Sequence, residues 1–405
     1  MKLFENKKIL FGVTGGIAAY KACELVRELK KEGADVQVAM TQSAQKFVSP
    51  LTFETLTDRE VLTEMFPSGK PVGTRHIDIP RGVDRIFICP ATANFISKVA
   101  HGIADDLLST MVTVGGAEKT VFCPAMNTDM YLNPIFQENM KNLGKLGYRF
   151  ISPDTGELAC HTEGIGRLAG KERIVDVFKR ELLGSNDLRG HSIIVTAGPT
   201  EEALDPVRFI TNASSGKMGF AVAEAAAIAG ADVTLISGPT HLRPFSGVRF
   251  IPVRTALEMR KAVLEAYKTA NGVIMAAAVS DYRPATYSTV KTKKGAEKLV
   301  LEVEKNPDIL KELGENKNGR ILIGFAVETD NEIEYGQQKL IEKNLDMIVV
   351  NNPQREGAGF GSDTNIVTFL LRSGERQNLP KLTKFEVAQA IIRQYRRIGS
   401  ESFQK

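Results

Sequence analysis

The chain has no tryptophan, only four cysteines and only five histidines among its 405 residues. Any large aromatic contact therefore falls to Phe or Tyr. Four cysteines (Cys23, Cys89, Cys123 and Cys160) over such a length do not make a disulfide framework, so a reduced, cytoplasmic protein is expected. There is no run of about 18 apolar residues, and no membrane span is expected. The opening stretch "MKLFENKKILFG" lacks the apolar core and small-residue cleavage site of a signal peptide. The net charge of +4 is small. It does not suggest the clustered basic face of a nucleic-acid binder, and no nucleic-acid partner is expected.

What is present is alternation. A chain of this length has room for two or three domains. From Lys7, "KKILFGVTG" reads as strand and turn, "GIAAYKACELVRELKKEG" as helix, and "ADVQVAMT" as strand. From His191 the order repeats: "HSIIVTAGPT", then, after an insertion, "GKMGFAVAEAAAIAG" and "ADVTLISG". Further buried-strand candidates are "DRIFICP" (84–90), "KTVFCP" (119–124), "GVIMAAAV" (272–279), "ILIGFAVE" (321–328) and "DMIVVN" (346–351). Strands alternating with helices imply parallel sheets covered on both faces. The fold class expected is α/β, with two doubly wound, mainly parallel-sheet domains. The polar, turn-rich "LLGSNDLRG" (182–190) puts the boundary near residue 185, giving domains 1–185 and 186–405.

Ligands in such sheets bind at the carboxyl ends of strands. In the first half those ends carry Thr14-Gly15-Gly16, Thr41, "PATAN" (Pro90–Asn94) and "PAMNTDMYLNP" (Pro124–Pro134). A glycine turn at a helix start binds anions, although one such turn alone is as often only a tight turn. Several polar strand ends in one sheet make a concave mouth. Cys160 sits in the glycine-flanked "GELACHTEGIGRL", which suits a mobile flap. Cys23, Cys89 and Cys123 lie in helix or strand patterns and read as core. "CH" at 160–161 is not zinc spacing. His76 lies in "TRHIDIP", read as a loop between Gly73 and Pro80.

In the second half, "ASSGK" is followed by Met218, so the P-loop pattern is absent. Neither glycine turn has the G-x-G-x-x-G spacing of an NAD-dependent oxidoreductase. "MAAAVSDYRP" (275–284) ends a strand in small residues that let a flat ring approach. Lysines in "VKTKK" (290–294), and Lys339 and Lys343 four apart on a helix, suit a nucleoside triphosphate, though a charge run is usually a solvated surface.

"PAMNTDM", "GVTGGIAAYK", "PATAN" and "HGIADDLLS" (101–109) resemble the flavin-dependent cysteine decarboxylases that use FMN. The position after the second Met of the Asn127 motif, commonly Trp in relatives, is Tyr131 here. The resemblance implies FMN held by Thr14, Gly15, Gly16, Thr41, Pro90, Ala91, Thr92, Asn94 and Met126. It implies His76, Asn127 and Cys160 as catalytic residues: His76 for thiol oxidation and proton transfer, Asn127 for the substrate carboxylate, Cys160 as the final proton donor.

"DPVRFITNASSGKMG", "AAAVSDYRP", "KNPDIL" and "GFAVET" resemble the phosphopantothenate–cysteine ligases. That resemblance implies CTP held by Met275, Ala276, Ala277, Asp281 and Lys291, by Pro307, Asp308, Ile309 and Leu310, and by Phe325, Lys339 and Lys343. Arg208, Asn212 and Lys291 are the implied catalytic residues, acting on 4′-phosphopantothenate and cysteine through an acyl-cytidylate. Mg2+ is expected on the phosphates, with no metal ligands assignable. The order of the halves is that of the bifunctional bacterial enzymes of coenzyme A synthesis. The resemblance further implies a homo-oligomer: trimers of the first domain with active sites between subunits, dimers of the second, a dodecamer in all. The alternative, a non-catalytic flavin-binding regulatory protein, predicts loss of His76, Asn127 or Cys160, and all three are present.

Overall fold

The computed structural model describes residues 2–66, 73–291, 300–357, 359 and 361–402. It divides into two compact units, Met1–Leu183 and Gly184–Lys405.

The first unit is built on β1 (Lys8–Val13), β2 (Asp35–Met40), β3 (Arg85–Ala91), β4 (Thr120–Pro124) and β5 (Arg149–Phe150). All five are parallel, in the order β2-β1-β3-β4-β5. The central strands are almost uninterrupted apolar runs because helices cover both faces. The helix Ala19–Lys31 turns Ala19, Ala22, Leu25, Val26 and Leu29 inward, three or four residues apart, and its polar residues outward. On the same core Phe178 packs edge-on to Phe11 and 4.2 Å from the Phe87 ring centroid. Cys89 and Cys123 are buried and Cys23 is half-buried against this core. An antiparallel hairpin follows, β6 (Asp154–Glu157) and β7 (Glu163–Arg167).

The second unit starts with β8 (Ser192–Ala197). The insertion after it forms a hairpin, β9 (Glu201–Ala203) and β10 (Phe209–Thr211). Then come β11 (Asp232–Ser237), β12 (Arg249–Pro252), β13 (Gly272–Met275), β14 (Tyr282–Pro284), β15 (Val303–Lys305), β16 (Ile321–Val327) and β17 (Met347–Asn351). After β18 (Thr364–Asn365), β19 (Val367–Leu371) and β20 (Arg376–Asn378) close the edge of an eight-stranded sheet. Its order is β12-β11-β8-β13-β16-β17-β19-β20, parallel as far as β17 and antiparallel beyond. The helix Lys217–Ile228 is alanine-rich and buried nearly all round. Gly219 lets it lie directly on β8: a Cβ there would sit 2.5 Å from Cβ of Ala197.

Two sequence expectations need correction. The strand expected over 272–279 ends at Met275, because Ala276–Val279 leave the sheet as a loop end whose carbonyls serve a side chain. His76 is not in a loop. It lies in the helix Arg75–Gly82, which tolerates Pro80 near its end, although Pro80 cannot donate to the His76 carbonyl.

Strand order reverses between β1 and β3 in the first sheet, and between β8 and β13 in the second. Crevices open at the carboxyl ends of strands at such points.

Candidate active sites

In the first unit the crevice is a cavity of about 650 Å³. Gly16, Ile17 and Ala18, which follow β1, and Pro90 of β3 are part of its wall. Thr14 is fully buried; its hydroxyl donates to the Pro90 carbonyl at 2.8 Å and accepts from the Thr92 N–H at 2.9 Å. Thr14 therefore ties two strand ends together and has no hydroxyl proton left for a ligand. Gly15 is required by close approach, since a Cβ would lie 2.3 Å from that of Ser43, whereas Gly16 lies open on the cavity. Thr41 accepts from the Ala44 N–H, Thr92 caps the helix Ala93–Ala100, and Asn94 is exposed. Pro90 and Met126 line the cavity, and Ala91 is buried behind them. In "HGIADDLLS", Asp106 and Ser109 form a reciprocal cap on the helix Leu107–Gly115, so they serve the fold.

Asn127 has two tasks at once. Its Oδ1 accepts from the Asp129 N–H at 2.8 Å and caps the helix Thr128–Leu132. Its Nδ2 is left to donate to Cys160 Sγ at 3.4 Å. Cys160 stands exposed at the tip between β6 and β7, and Thr162 Oγ1 lies 3.0 Å from its sulfur. The Thr162 hydroxyl, then the Asn127 amide, hold this thiol's pKa below its ordinary value. Burial pushes the Cys23 and Cys89 thiols the other way. The Met126 N–H donates to the Gly166 carbonyl at 2.9 Å, fastening the hairpin beside the Asn127 segment. Tyr20 and Lys21, which end the quoted "GVTGGIAAYK" but were given no role there, also line this cavity. Their only signal is helical spacing from Gly16.

His76 is not brought to Asn127 and Cys160. It is half-buried in a separate, small depression walled by Val61, Met65 and Leu107.

In the second unit a cavity of about 110 Å³ opens between the Ser214–Gly219 turn, Ala276, Ala277 and Phe325. Thr196 sets its back wall: the hydroxyl accepts from the Ala277 N–H at 3.1 Å and donates to Met275 Sδ. Met275 is thereby buried behind the lining. Asn212 donates to the carbonyls of Ala278 and Val279, at 3.1 and 3.2 Å, pinning the hairpin arm to the end of β13. Arg208 is held by the buried Asp205 carboxylate at 2.8 Å. Asp281 is exposed, its carbonyl accepting from Asn306. Asp308 caps the helix Ile309–Glu315 and pairs with Lys343 at 2.8 Å. Pro307 precedes that cap, and Ile309 and Leu310 are core side chains. Lys339 pairs with Glu328 at 2.5 Å. Lys291 is exposed; Lys293 and Lys294 of "VKTKK" lie outside the described residues. Lys217, of "ASSGK", and Asn351, ending "DMIVVN", also line the cavity, as do Asn365 and Lys384, which carried no local sequence signal. Among the described residues no cluster of His, Cys, Asp and Glu could hold a metal ion, and no helix is long and apolar enough to cross a membrane.

Residues 2–183 match the family described as Flavoprotein, and residues 188–398 match the DNA/pantothenate metabolism flavoprotein C-terminal domain. The coenzyme A biosynthesis bifunctional protein CoaBC of Bacillus subtilis (strain 168) is 46% identical over 403 residues, 99% of each chain. Its namesake in Escherichia coli (strain K12) is 43% identical over 375 residues, 92% of each. A crystal structure of the C-terminal domain of such a protein is 46% identical, covers 54% of this chain and all of its own, and has a TM-score of 0.47.

Proposed function

The chain belongs to the bifunctional coenzyme A biosynthesis proteins, flavoprotein decarboxylase and ligase in one polypeptide, and from that premise we propose how its residues divide the two activities. The first unit decarboxylates 4′-phosphopantothenoylcysteine to 4′-phosphopantetheine; the second forms that substrate from 4′-phosphopantothenate and cysteine with CTP. The observation that carries the first assignment is the Asn127 amide 3.4 Å from the Cys160 thiol, both on one cavity.

The residues of that cavity fit FMN. Its volume of about 650 Å³ lies within the usual range for a cofactor site. Gly16 lies open, a Cβ there meeting only Thr92 Cγ2 at 3.6 Å, and the turn offers backbone N–H groups to a phosphate. Gly16, Pro90 and Met126 would line the cofactor; Thr14, Gly15, Thr41, Ala91, Thr92 and Asn94 shape the strand ends around it. When bound, FMN would supply a reversible two-electron store, taking the hydride whose loss makes the substrate thiol a thioaldehyde, the electron sink for the carbanion left by CO2, and returning it to the enethiol as that carbon skeleton is reduced. Asn127 binds the substrate carboxylate with Nδ2 while its Oδ1 stays on the helix cap. Cys160, hydrogen-bonded by Thr162, delivers the last proton to the enethiol. His76 serves the site of a neighbouring copy, which explains its distance from its own cavity and agrees with trimers. Exposed Phe47, Leu51 and Ile135, 50%, 67% and 71% accessible, leave apolar surface for such contacts. Mixing chains carrying His76→Asn with chains carrying Cys160→Ser tests this. A site shared between copies regains 4′-phosphopantetheine formation in the mixture; a site within one chain regains none.

In the second unit the carboxylate of phosphopantothenate attacks the α-phosphate of CTP, giving an acyl-cytidylate and pyrophosphate. The cysteine amine then displaces CMP. Ala276, Ala277 and Phe325 accept the nucleotide at the open end of β13 and β16. Met275 backs them; Asp281, Pro307–Leu310, Lys339 and Lys343 do not line the cavity and come to the nucleotide only through the resemblance to the ligases. Lys291 offsets phosphoryl charge. Asn212 orients the acyl group, with Arg208 set by Asp205. Mg2+ enters on the phosphates, which needs few protein ligands. Dimers of this unit, a dodecamer overall and a cytoplasmic location complete the reading.

A further inference from the structure

The tip of the β6–β7 hairpin carries a residue that neither the fold nor the assignments above account for. The Leu158 N–H donates to the Thr162 carbonyl at 2.9 Å, and the His161 N–H to the Leu158 carbonyl at 2.9 Å. These bonds close a three-residue loop, Ala159-Cys160-His161, between the paired strands. The last position of such a loop is left-handed and is normally glycine. Here it is His161, with a φ of 60°. Among the described residues six non-glycine residues have positive φ, and the other five are Asn or Asp. Those short side chains bond locally and tolerate the conformation. On the same hairpin, positions 156 and 166 take positive φ as glycines. A side chain held in such a conformation beside a binding cleft points to a use for its chemistry.

His161 directly follows Cys160 and lines the same cavity as Cys160 and Asn127. Its Nδ1 lies 3.6 Å from the Glu157 carboxylate, which leaves Nε2 as the nitrogen free to exchange a proton. The side chain is 89% exposed, so the ring meets water directly. The other charged groups lining the cavity are Lys21 of the helix Ala19–Lys31 and Arg167 of β7. Among the described residues, Glu157 is the one carboxylate within ion-pair distance of the ring.

Turning a carboxylate into CO2 and a C–H bond takes up one proton in every turnover. Cys160 delivers that proton to carbon and is left as a thiolate. The Thr162 and Asn127 hydrogen bonds that hold its pKa down favour the thiolate, which has no proton to give. Cys160 must therefore be reloaded before the next enethiol can be reduced. Near neutrality histidine is the side chain that most readily passes a proton.

We propose that His161 reloads Cys160: the Nε2–H gives its proton to the thiolate, the Sγ–H bond re-forms, and the ring takes a replacement proton from water, with Glu157 holding the imidazolium charge. No electrons move in this step. His161 acts through Cys160 and is a positioning residue for proton supply. The inference rests on the decarboxylase reading.

The test follows enethiol and 4′-phosphopantetheine by mass spectrometry, at several pH values on either side of neutrality, in FMN-loaded wild type, His161→Gly and His161→Gln. Glycine suits the left-handed position, so His161→Gly should have a Tm at or above that of wild type. Above neutrality, phosphopantetheine formation by both variants should fall about tenfold or more. Enethiol should accumulate, KM should not rise, and the rate should recover in proportion to proton concentration as the pH is lowered. Added imidazole should restore His161→Gly. That pattern supports the relay. Rates and pH profiles within about twofold of wild type overturn it, being well short of the usual worth of a proton-transfer group. A raised KM with the wild-type pH profile overturns it as well, and makes His161 a substrate contact instead. A loss that neither lower pH nor imidazole relieves also overturns it. If His161→Gly does not fold, the pH profile of His161→Gln decides alone. If the wild type itself releases no CO2 from 4′-phosphopantothenoylcysteine, the decarboxylase reading fails and the relay falls with it. An active wild type beside unchanged variants overturns the relay alone.

Discussion

Asn127 is predicted to show separable structural and catalytic losses, because its two amide atoms point at different partners. Oδ1 caps a helix of five residues, and Nδ2 faces the Cys160 thiol. Asn127→Ala removes both. Losing an N-cap costs about 1 kcal/mol, which for a unit of this size lowers Tm by about 2–4 °C. Asn127→Asp keeps the cap, since aspartate accepts the Asp129 N–H as well as asparagine does, so its Tm should stay at the wild-type value. Catalysis should fall in both. A hydrogen bond to a charged group is worth about 1.5–3 kcal/mol, equivalent to about 10- to 150-fold in kcat/KM. Asn127→Asp should lie at or beyond the far end, because its charge repels the substrate carboxylate. Calorimetry and CO2 release from 4′-phosphopantothenoylcysteine measure the two effects independently. Decarboxylation by Asn127→Asp at the wild-type rate would refute the assignment of Nδ2. A Tm loss equal in both variants would refute the cap.

Three further outcomes follow from the same geometry. Cys160→Ser should release CO2 yet accumulate the enethiol instead of phosphopantetheine, as read by mass spectrometry; full product at the wild-type rate contradicts the proton-donor role. Thr162→Val removes the largest influence holding the Cys160 thiol pKa down. Its alkylation by iodoacetamide should therefore begin at higher pH and run slower near neutrality, because the thiolate is the nucleophile. An unchanged pH profile contradicts the assignment. Gly238→Ala would set a Cβ 1.6 Å from the Pro199 carbonyl oxygen. Overpacking there should cost about 3 kcal/mol and abolish the ligase while decarboxylation persists; a ligase of normal activity and Tm would show that the turn relaxes freely.

The sheets were legible where strands are continuous apolar runs before a glycine turn, as at Lys8–Val13 and Ser192–Ala197. They were less so where tertiary contacts decide. Ala276–Val279 look like strand, but Asn212 and Thr196 take their backbone groups out of the ladder. The edge strands β19 and β20 pair antiparallel, which the repeated βα pattern does not announce. The stretch between Gly73 and Pro80 reads as loop, yet it begins the helix Arg75–Gly82, because a proline in the last turn removes only one hydrogen bond. Asn127 stood out through the resemblance of its motif to the flavin-dependent cysteine decarboxylases, and Cys160 through that resemblance and its glycine-flanked polar segment. Lys384 did not, since chain folding alone brings it to the cavity that the Ser214–Gly219 turn lines. Thr14, which looked like a phosphate ligand, spends its hydroxyl between two strands.

The account rests on two activities working in sequence within one chain. The most direct test incubates it with 4′-phosphopantothenate, cysteine, Mg2+, FMN and CTP, with ATP in a parallel tube, and identifies products by mass spectrometry. The account predicts 4′-phosphopantetheine in the CTP tube, formed through 4′-phosphopantothenoylcysteine, and little in the ATP tube. Condensation with neither nucleotide would contradict the ligase assignment, and 4′-phosphopantothenoylcysteine that accumulates without losing CO2 would contradict the decarboxylase.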